Sequence, residues 1–430
     1  MNWTTEQILG LAPDQFTLRA AHSTTEPERW TALHHDGRLL WAIFPNGSAK
    51  TAETAVHLPS HTYTCTCNSR KTPCRHTVAL LLLWQENRPA FTAQPAPRTL
   101  AARANRHTIA SQRPLRSGYS LDTQLAHLQT GLNELALWLT DLVRHGLARL
   151  PDRPKSYWHT MADRLVDAQA PTLALELRRL ATVPTAQPNW PEAYLQRLGQ
   201  LHLIIQGFRH FDQLPATTQA DLQTAVGWLP PPHNDTPPIT DRWLVLGRQQ
   251  EYLGSQTRHF TWLWGQDSQR PAQLIELAAA ARPEGRCLPT GTVWHGVLHF
   301  LPGSWPLLAT RQGDFGAEAT AVLPHGFPTI RDATQAHSQA LAHNPWLPAF
   351  PMLLHNVLPH HANGTWQLLD RRGTTLPLPD KYAHGWHLAA LAGGSPTLTL
   401  FGVWQNHILH PLSVCHAGVW HDVHTWRGIR

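Results

Sequence analysis

The stretch His61–His76 reads HTYTCTCNSRKTPCRH, and the spacing of its sulfur and imidazole side chains sets the organisation of the amino-terminal region. Cys65 and Cys67 are separated by one residue, and so are Cys74 and His76. A strand repeats its side-chain direction every two residues, so the first pair projects from one face. Tyr63 and the flanking threonines suit such a strand. Lys71-Thr72-Pro73 then marks a turn, after which Val78–Trp84 (VALLLLW) has the character of a buried helix. Three thiols and one imidazole form the donor set that zinc takes in four-coordinate geometry. The spacing therefore predicts a ββα-like module in which Cys65, Cys67, Cys74 and His76 hold one structural Zn2+ ion. Four protein ligands leave no position for a reacting water, which argues for a structural rather than a catalytic ion.

Ordinary buried cysteines, a disulfide or a reactive thiolate are the competing readings. The chain has five cysteines, an odd number, and Cys287 and Cys415 are remote from the others. Met1–Leu11 lacks the cationic leader and apolar core of a secretory signal, so a cytoplasmic, reducing location is expected and structural disulfides are not. No Ser/Cys–His–Asp arrangement can be read from the sequence. Spacing and compartment together favour the metal.

The C-x-C…C-x-H order, with a strand before it and a helix after it, resembles the SWIM zinc finger. The string Cys65–Leu83 (CTCNSRKTPCRHTVALLLL) is similar to the version in bacterial SWIM zinc finger family proteins. That resemblance implies the same four zinc ligands. Asn68 departs from the proline or small residue that often follows the second cysteine, without touching a ligand. Weaker similarities extend to Arg164–Pro171 (RLVDAQAP), Thr261–Gly265 (TWLWG) and Pro411–Val414 (PLSV). Members of this family are proposed to bind DNA or proteins, and bacterial representatives resemble partners of larger assemblies.

At 430 residues, 42% hydrophobic and 15% charged, the chain has the length and composition of a folded multidomain protein. The expected fold class is multidomain α+β. Residues 1–91 read as a small N-terminal antiparallel sheet with the finger core at 61–86. Asp36-Gly37 and Asn46-Gly47 supply hairpin turns between β-like runs there. A three-stranded sheet is so small that apparent zinc-binding free energies of about 10–16 kcal/mol decide whether such a module folds. Residues 92–118, with Pro95, Pro97, Pro114 and five arginines (Arg98, Arg103, Arg106, Arg113, Arg116), read as a solvated linker. Residues 119–228 read as a central all-α domain. Its leading helix places leucines at 121, 125, 128, 132, 135, 139 and 142, with Ser120 as N-cap. Internal bundle packing is preferred to dimerisation through this seam, because further helical segments follow at once. After the prolines at 230–232 and 237–238, residues 238–430 read as one β-rich α+β domain with a helix near Ile330–His343.

The remaining motifs are weak. Gly47-Ser-Ala-Lys50-Thr51 lacks the glycine spacing of a phosphate loop and is better read as a turn. Cys415, His416, His421 and His424, and the pairs His34/His35 and His360/His361, are read as scattered imidazoles and a thiol rather than a second metal site. No nucleophile elbow, H-E-x-x-H or dinucleotide fingerprint occurs, and a non-enzymatic role is expected. The expected partners are nucleic acid, a protein, or both, and no membrane. A net charge of +6 and a pI near 9.3 permit phosphate contact. Arg70, Lys71 and Arg75 are the candidate nucleic-acid contacts, although they also suit the net negative charge of three thiolates on one Zn2+. The alternative function is an adaptor or scaffold in a multi-protein complex without nucleic acid.

Overall fold

The computed structural model describes residues 3–45, 51–69, 71–103, 121–150, 153–182, 190–230, 237–253, 256–279, 284–286, 288–318, 323–379, 382–393 and 398–423. Two short helices, α1 (Thr5–Leu9) and α2 (Gln15–His22), open the chain. Thr4 and Asp14 cap them by accepting backbone N–H groups of Gln7 and Thr17. β1 (Ala32–His35) and β2 (Leu39–Pro45) follow as a hairpin. At its turn Asp36 accepts the backbone N–H groups of Arg38 and Leu39, and Gly37 takes φ +86°. That left-handed conformation carries no steric cost for glycine. β3 (Thr51–His57) and β4 (Thr62–Cys65) extend the antiparallel meander, and α3 (Arg75–Glu86) lies across it. The second expected turn, at Asn46-Gly47, falls outside the described residues, as does the Gly47–Lys50 segment of the weak phosphate-loop match.

The sheet is twice the expected size. Its order is β5-β1-β2-β3-β4-β9, where β5 is Thr92–Ala93 and β9 is Glu284–Arg286. β9 comes from far along the chain and pairs antiparallel with β4, Tyr63 opposite Gly285. Without it the ligand-bearing strand would be an unpaired edge. The expected linker also begins as structure: β5 pairs parallel to β1, and Leu100 is buried with Leu39, Trp41 and Ala55. The alternation of apolar residues with arginine and proline in that segment hid this packing. Arg106, Arg113, Pro114 and Arg116 lie outside the described residues.

A helical bundle follows: α4 (Leu121–Arg144), α5 (Lys155–Asp167), α6 (Pro171–Leu180), α7 (Trp190–Arg209) and α8 (Ala216–Val226). The leucine seam faces inward: Leu128, Leu132, Leu135, Leu139 and Leu142 are buried with Trp158, Leu165, Leu177 and Ile205. Gly131 lets α4 approach α5 closely, since an added Cβ would lie 2.3 Å from that of Ala168. Ser120, the expected cap, is outside the described residues.

The remainder is β-rich, as expected, and is built from a barrel and a second sheet. β6 (Ile239–Leu253), β7 (Gln256–Gly265), β8 (Pro271–Ala279), β10 (Val293–Phe300) and β11 (Leu308–Glu318) close a barrel of order β10-β11-β8-β7-β6. Its first three strands form a meander, β11 pairs parallel with β8, and β10 closes antiparallel onto β6. Numbered within the barrel, this is the 1-2-3-5-4 circuit of an OB-type Greek-key barrel. The second unit is a six-stranded sheet, order β14-β13-β12-β15-β16-β17: β12 (Phe350–Ala362), β13 (Thr365–Asp370), β14 (Thr375–Pro377), β15 (Leu398–Gln405), β16 (Ile408–His416) and β17 (Val419–Asp422). α9 (Ile330–His343) and α10 (Gly385–Ala392) pack on it.

Tryptophans fill these cores. Trp243, Trp294 and Phe300 occupy a cluster that is continuous with Trp3, Tyr63 and Leu80 of the amino-terminal region. Trp262 and Trp264 instead join Leu353, Phe401 and Trp420 between the barrel and the second sheet.

Candidate metal centre

β4 delivers Cys65 at its end, and Cys67 follows on the same side two residues later. The chain reverses through Ser69–Pro73, and Cys74 takes the extended N-cap position of α3, with His76 one residue into the helix. The metal-binding atoms of Cys65, Cys67, Cys74 and His76 all lie within 4.8 Å of one another. Cys65 Sγ and Cys74 Sγ stand 3.9 and 4.0 Å from His76 Nδ1. Bond lengths of about 2.3 Å to sulfur and 2.0–2.1 Å to nitrogen put tetrahedral donors about 3.6–3.8 Å apart, so a small contraction would close the site on an ion. Among the described residues no other group of His, Cys, Asp and Glu gathers in this way. Cys415, His416 and His421 lie on β16 and β17, where His421 pairs with Glu6, and His424 is outside the described residues.

All four side chains are buried, Cys67 most accessible at 8%. Crowding three thiols in such a place separates their acidities. Hydrogen bonds from Cys67 and Cys74, with burial, push the Cys65 thiol well up. Cys67 is raised to about 12: its bond with Cys65 lowers it, but Cys74 and burial outweigh that. Against burial, hydrogen bonds from Cys65, Cys67 and His76 pull the Cys74 thiol well below its ordinary value. Left to themselves, the three sulfurs thus compete for the same hydrogen bonds and cannot all be charged at little cost. A divalent cation removes the conflict, because it stabilises thiolate at every sulfur. Three soft sulfurs and an imidazole therefore fit a metal ion such as zinc.

Nδ1 is the histidine nitrogen turned to the sulfurs. On the far side Arg75 Nε donates to His76 Nε2 at 3.3 Å, which requires Nε2 to be the bare nitrogen. A metal on Nδ1 would place the proton on Nε2 and release Arg75 from this bond. Phe44 and Trp30 pack around the imidazole at ring-centroid distances of 5.1 and 6.4 Å. Thr77 Oγ1 lies 3.5 Å from Cys74 Sγ.

The candidate phosphate contacts are largely engaged. Lys71 Nζ bonds Asp14 Oδ2 at 2.6 Å and lies 5.1 Å over the Phe16 ring. Partial burial raises the Asp14 carboxyl, but Lys71 and Thr17 hold it below the usual range. Arg75 spans His76 and the Phe44 face, and Arg70 lies outside the described residues. Asp14, Phe16, Trp30 and Phe44 border the site without any signal in its motif. They are brought there only by the tertiary fold.

The reversing loop is also gripped from outside the finger. Thr72 Oγ1 contacts His259 Nε2 at 3.0 Å, and its carbonyl accepts from Gln250 Nε2. Both partners belong to the projecting β6–β7 hairpin. Farther along that hairpin, Arg258 donates to the carbonyl of Gly227 at 2.7 Å, and Glu251 pairs with Arg179 of α6 at 3.1 Å.

A family model described as the SWIM-associated four-helix bundle domain matches residues 123–226, from the first turn of α4 to the last residue of α8. No curated protein and no solved structure matches the chain. None of the described helices is long and apolar enough to cross a membrane.

Proposed function

Taking the chain as a SWIM zinc finger family protein, with the finger cluster beside its associated bundle, we propose that it is a non-catalytic protein-interaction module held together by one structural zinc ion. Four protein donors complete the coordination of that ion and leave no position for substrate. The observation that carries the interaction reading is the outer surface of the bundle. Leu195 and Leu203 of α7 are 58% and 42% exposed, and Leu137 of α4 is 69% exposed. Between the two α7 leucines, Gly199 has nothing within 4 Å of an added Cβ. A helix that buries one side and leaves leucines on the other offers an apolar surface to a partner.

Nuclease-treated affinity purification of the full chain tests this. A stoichiometric protein should be recovered with the wild type and lost from a Leu195→Asp/Leu203→Asp variant that keeps its metal and its helical circular dichroism. An empty wild-type eluate, or a partner indifferent to the substitutions, counts against the reading.

Nucleic-acid binding is the second reading, favoured by the net charge of +6 and by exposed Arg88 and Arg98 beside the finger sheet. Retention of labelled duplex and single-stranded DNA over a salt series decides it. Phosphate contact should weaken steeply as salt rises and fall on Lys71→Glu/Arg75→Glu substitution. Failure to bind at low salt removes it.

A further inference from the structure

A cavity of about 170 Å³ lies between the helical bundle and the second sheet, and none of its lining residues belongs to the finger. α6 and α7 form one wall; α9, the segment after it and the β15–β16 turn form the other. On the bundle side Arg197 is half-buried, and among the described residues no hydrogen bond or ion pair reaches its guanidinium. Glu176 acts on it electrostatically, but that carboxylate is bonded to Arg179. Burial is the main influence on Arg197 and disfavours its charge. Glu176 lines the same cavity, but it is shared with Arg179, so the partly desolvated Arg197 is incompletely compensated and an anion placed directly against it recovers part of that cost.

The opposite wall is aromatic. Trp404 is only 9% exposed, and its ring meets His407 edge-on at 6.2 Å and His337 at 6.5 Å. All three line the cavity, as do Leu173 and Leu201 of the bundle. His407 is held at φ +60° in the second place of a tight turn, where glycine is ordinarily preferred. The turn thus keeps an imidazole at the cavity where the backbone would more readily accept no side chain.

We propose that this cavity binds a small aromatic carboxylate, with the carboxylate on Arg197 and the ring between Trp404 and the bundle leucines. The size fits: a dry cavity of about 150 Å³ accepts benzene, so this one accommodates a single ring with a compact anionic group. Because the two walls belong to different units, the ligand would bridge the bundle and the second sheet. The assignment is independent of the metal centre and of the bundle's outer surface.

Calorimetric titration of the full-length, metal-loaded protein provides the test, with benzoate, phenylacetate, benzamide and acetate as probes. One of the two aromatic carboxylates should bind saturably, with benzamide and acetate each weaker by about ten-fold or more. Arg197→Gln should reduce carboxylate affinity by about ten-fold or more without lowering the unfolding midpoint of the unliganded protein. Gln200→Trp, at an exposed lining position, should abolish binding by obstruction. The proposal is overturned if neither carboxylate binds at millimolar concentration. It is equally overturned if benzamide matches its carboxylate, or if Arg197→Gln or Gln200→Trp leaves affinity unchanged.

Discussion

Trp294 tests whether the metal centre is an independent module or part of a larger core. It belongs to barrel strand β10, yet its ring meets His61 at 4.6 Å and 84° and Trp3 at 6.4 Å and 65°. It is fully buried, and its Nε1 donates to Thr292 Oγ1 at 2.6 Å. Truncating a buried tryptophan to alanine costs about 3–5 kcal/mol. Each aromatic pair represents about 0.5–1.5 kcal/mol beyond burial, so the two contacts to the amino-terminal region hold about 1–3 kcal/mol of that loss. Trp294→Phe keeps a ring and forfeits the hydrogen bond, for a smaller loss of about 1 kcal/mol. Both variants can be unfolded in urea while circular dichroism reports the fold and a chromophoric chelator reports metal release. With nineteen tryptophans in the chain, fluorescence would not localise the change. A shared core requires Trp294→Ala to shift both transitions to lower urea together. If dichroism shifts while metal release stays at its wild-type midpoint, the finger is energetically separate and the reasoning fails.

Three further outcomes follow from single contacts. Cys74→Ser should release the ion, read by elemental analysis of chelator-free protein, and stoichiometric retention would refute the ligand set. Gly131→Ala drives a methyl into Ala168 and should cost about 1–3 kcal/mol in denaturant unfolding, against a gain if that helix were merely short of alanine. Asp370 accepts backbone N–H groups from Ile330, Arg372 and Thr374, which hold its carboxyl below the usual range against a burial effect that raises it. A depressed carboxyl stabilises the fold above its unfolded value near pH 4 and loses that contribution as pH falls through the lower folded value. The stability gap between wild type and Asp370→Asn, measured by denaturant titration, should therefore be full at pH 7 and shrink as the solution is acidified below about pH 4. A gap that widens on acidification would contradict the assignment.

Local chemistry made much of this architecture readable. The C-x-C and C-x-H pairs place ligands by strand and helix-start geometry, which neighbouring residues determine. The seam from Leu128 to Leu142 states its buried face by period alone. Sheet size was not readable, because β9 is three residues long and its identity depends on pairing with Tyr63, more than 200 positions earlier. β8 reads PAQLIELAA, rich in helix-favouring Ala, Leu and Glu, and becomes a strand because its neighbours in the barrel require one. β11 contains arginine, aspartate and three charged or glycine interruptions to any alternation, and the buried Arg311 pairs with Glu276, a partner that sequence does not specify. The expected β-rich region is present, but its division into a barrel and a second sheet could not be read from local pattern. The approach of Asp14 and Phe16 to the metal loop is likewise a product of docking helices, for which no local pattern exists.

The joining of a finger to a bundle has a physical basis in the β6–β7 hairpin. Its contacts with the Thr72 hydroxyl and carbonyl bear on the loop between the two ligand pairs, and its Glu251 and Arg258 bear on the bundle. Arg258 is buried, so its bonds to Gly227 and Thr172 offset the loss of hydration of a charged group. The two sets of contacts come from adjacent paired positions near the hairpin's turn, Gln250 with His259 and Glu251 with Arg258, so one short stretch of paired strand meets both the loop and the bundle. A metal ion at the cluster would steady the Thr72 loop, and through it the stretch of hairpin that contacts the bundle.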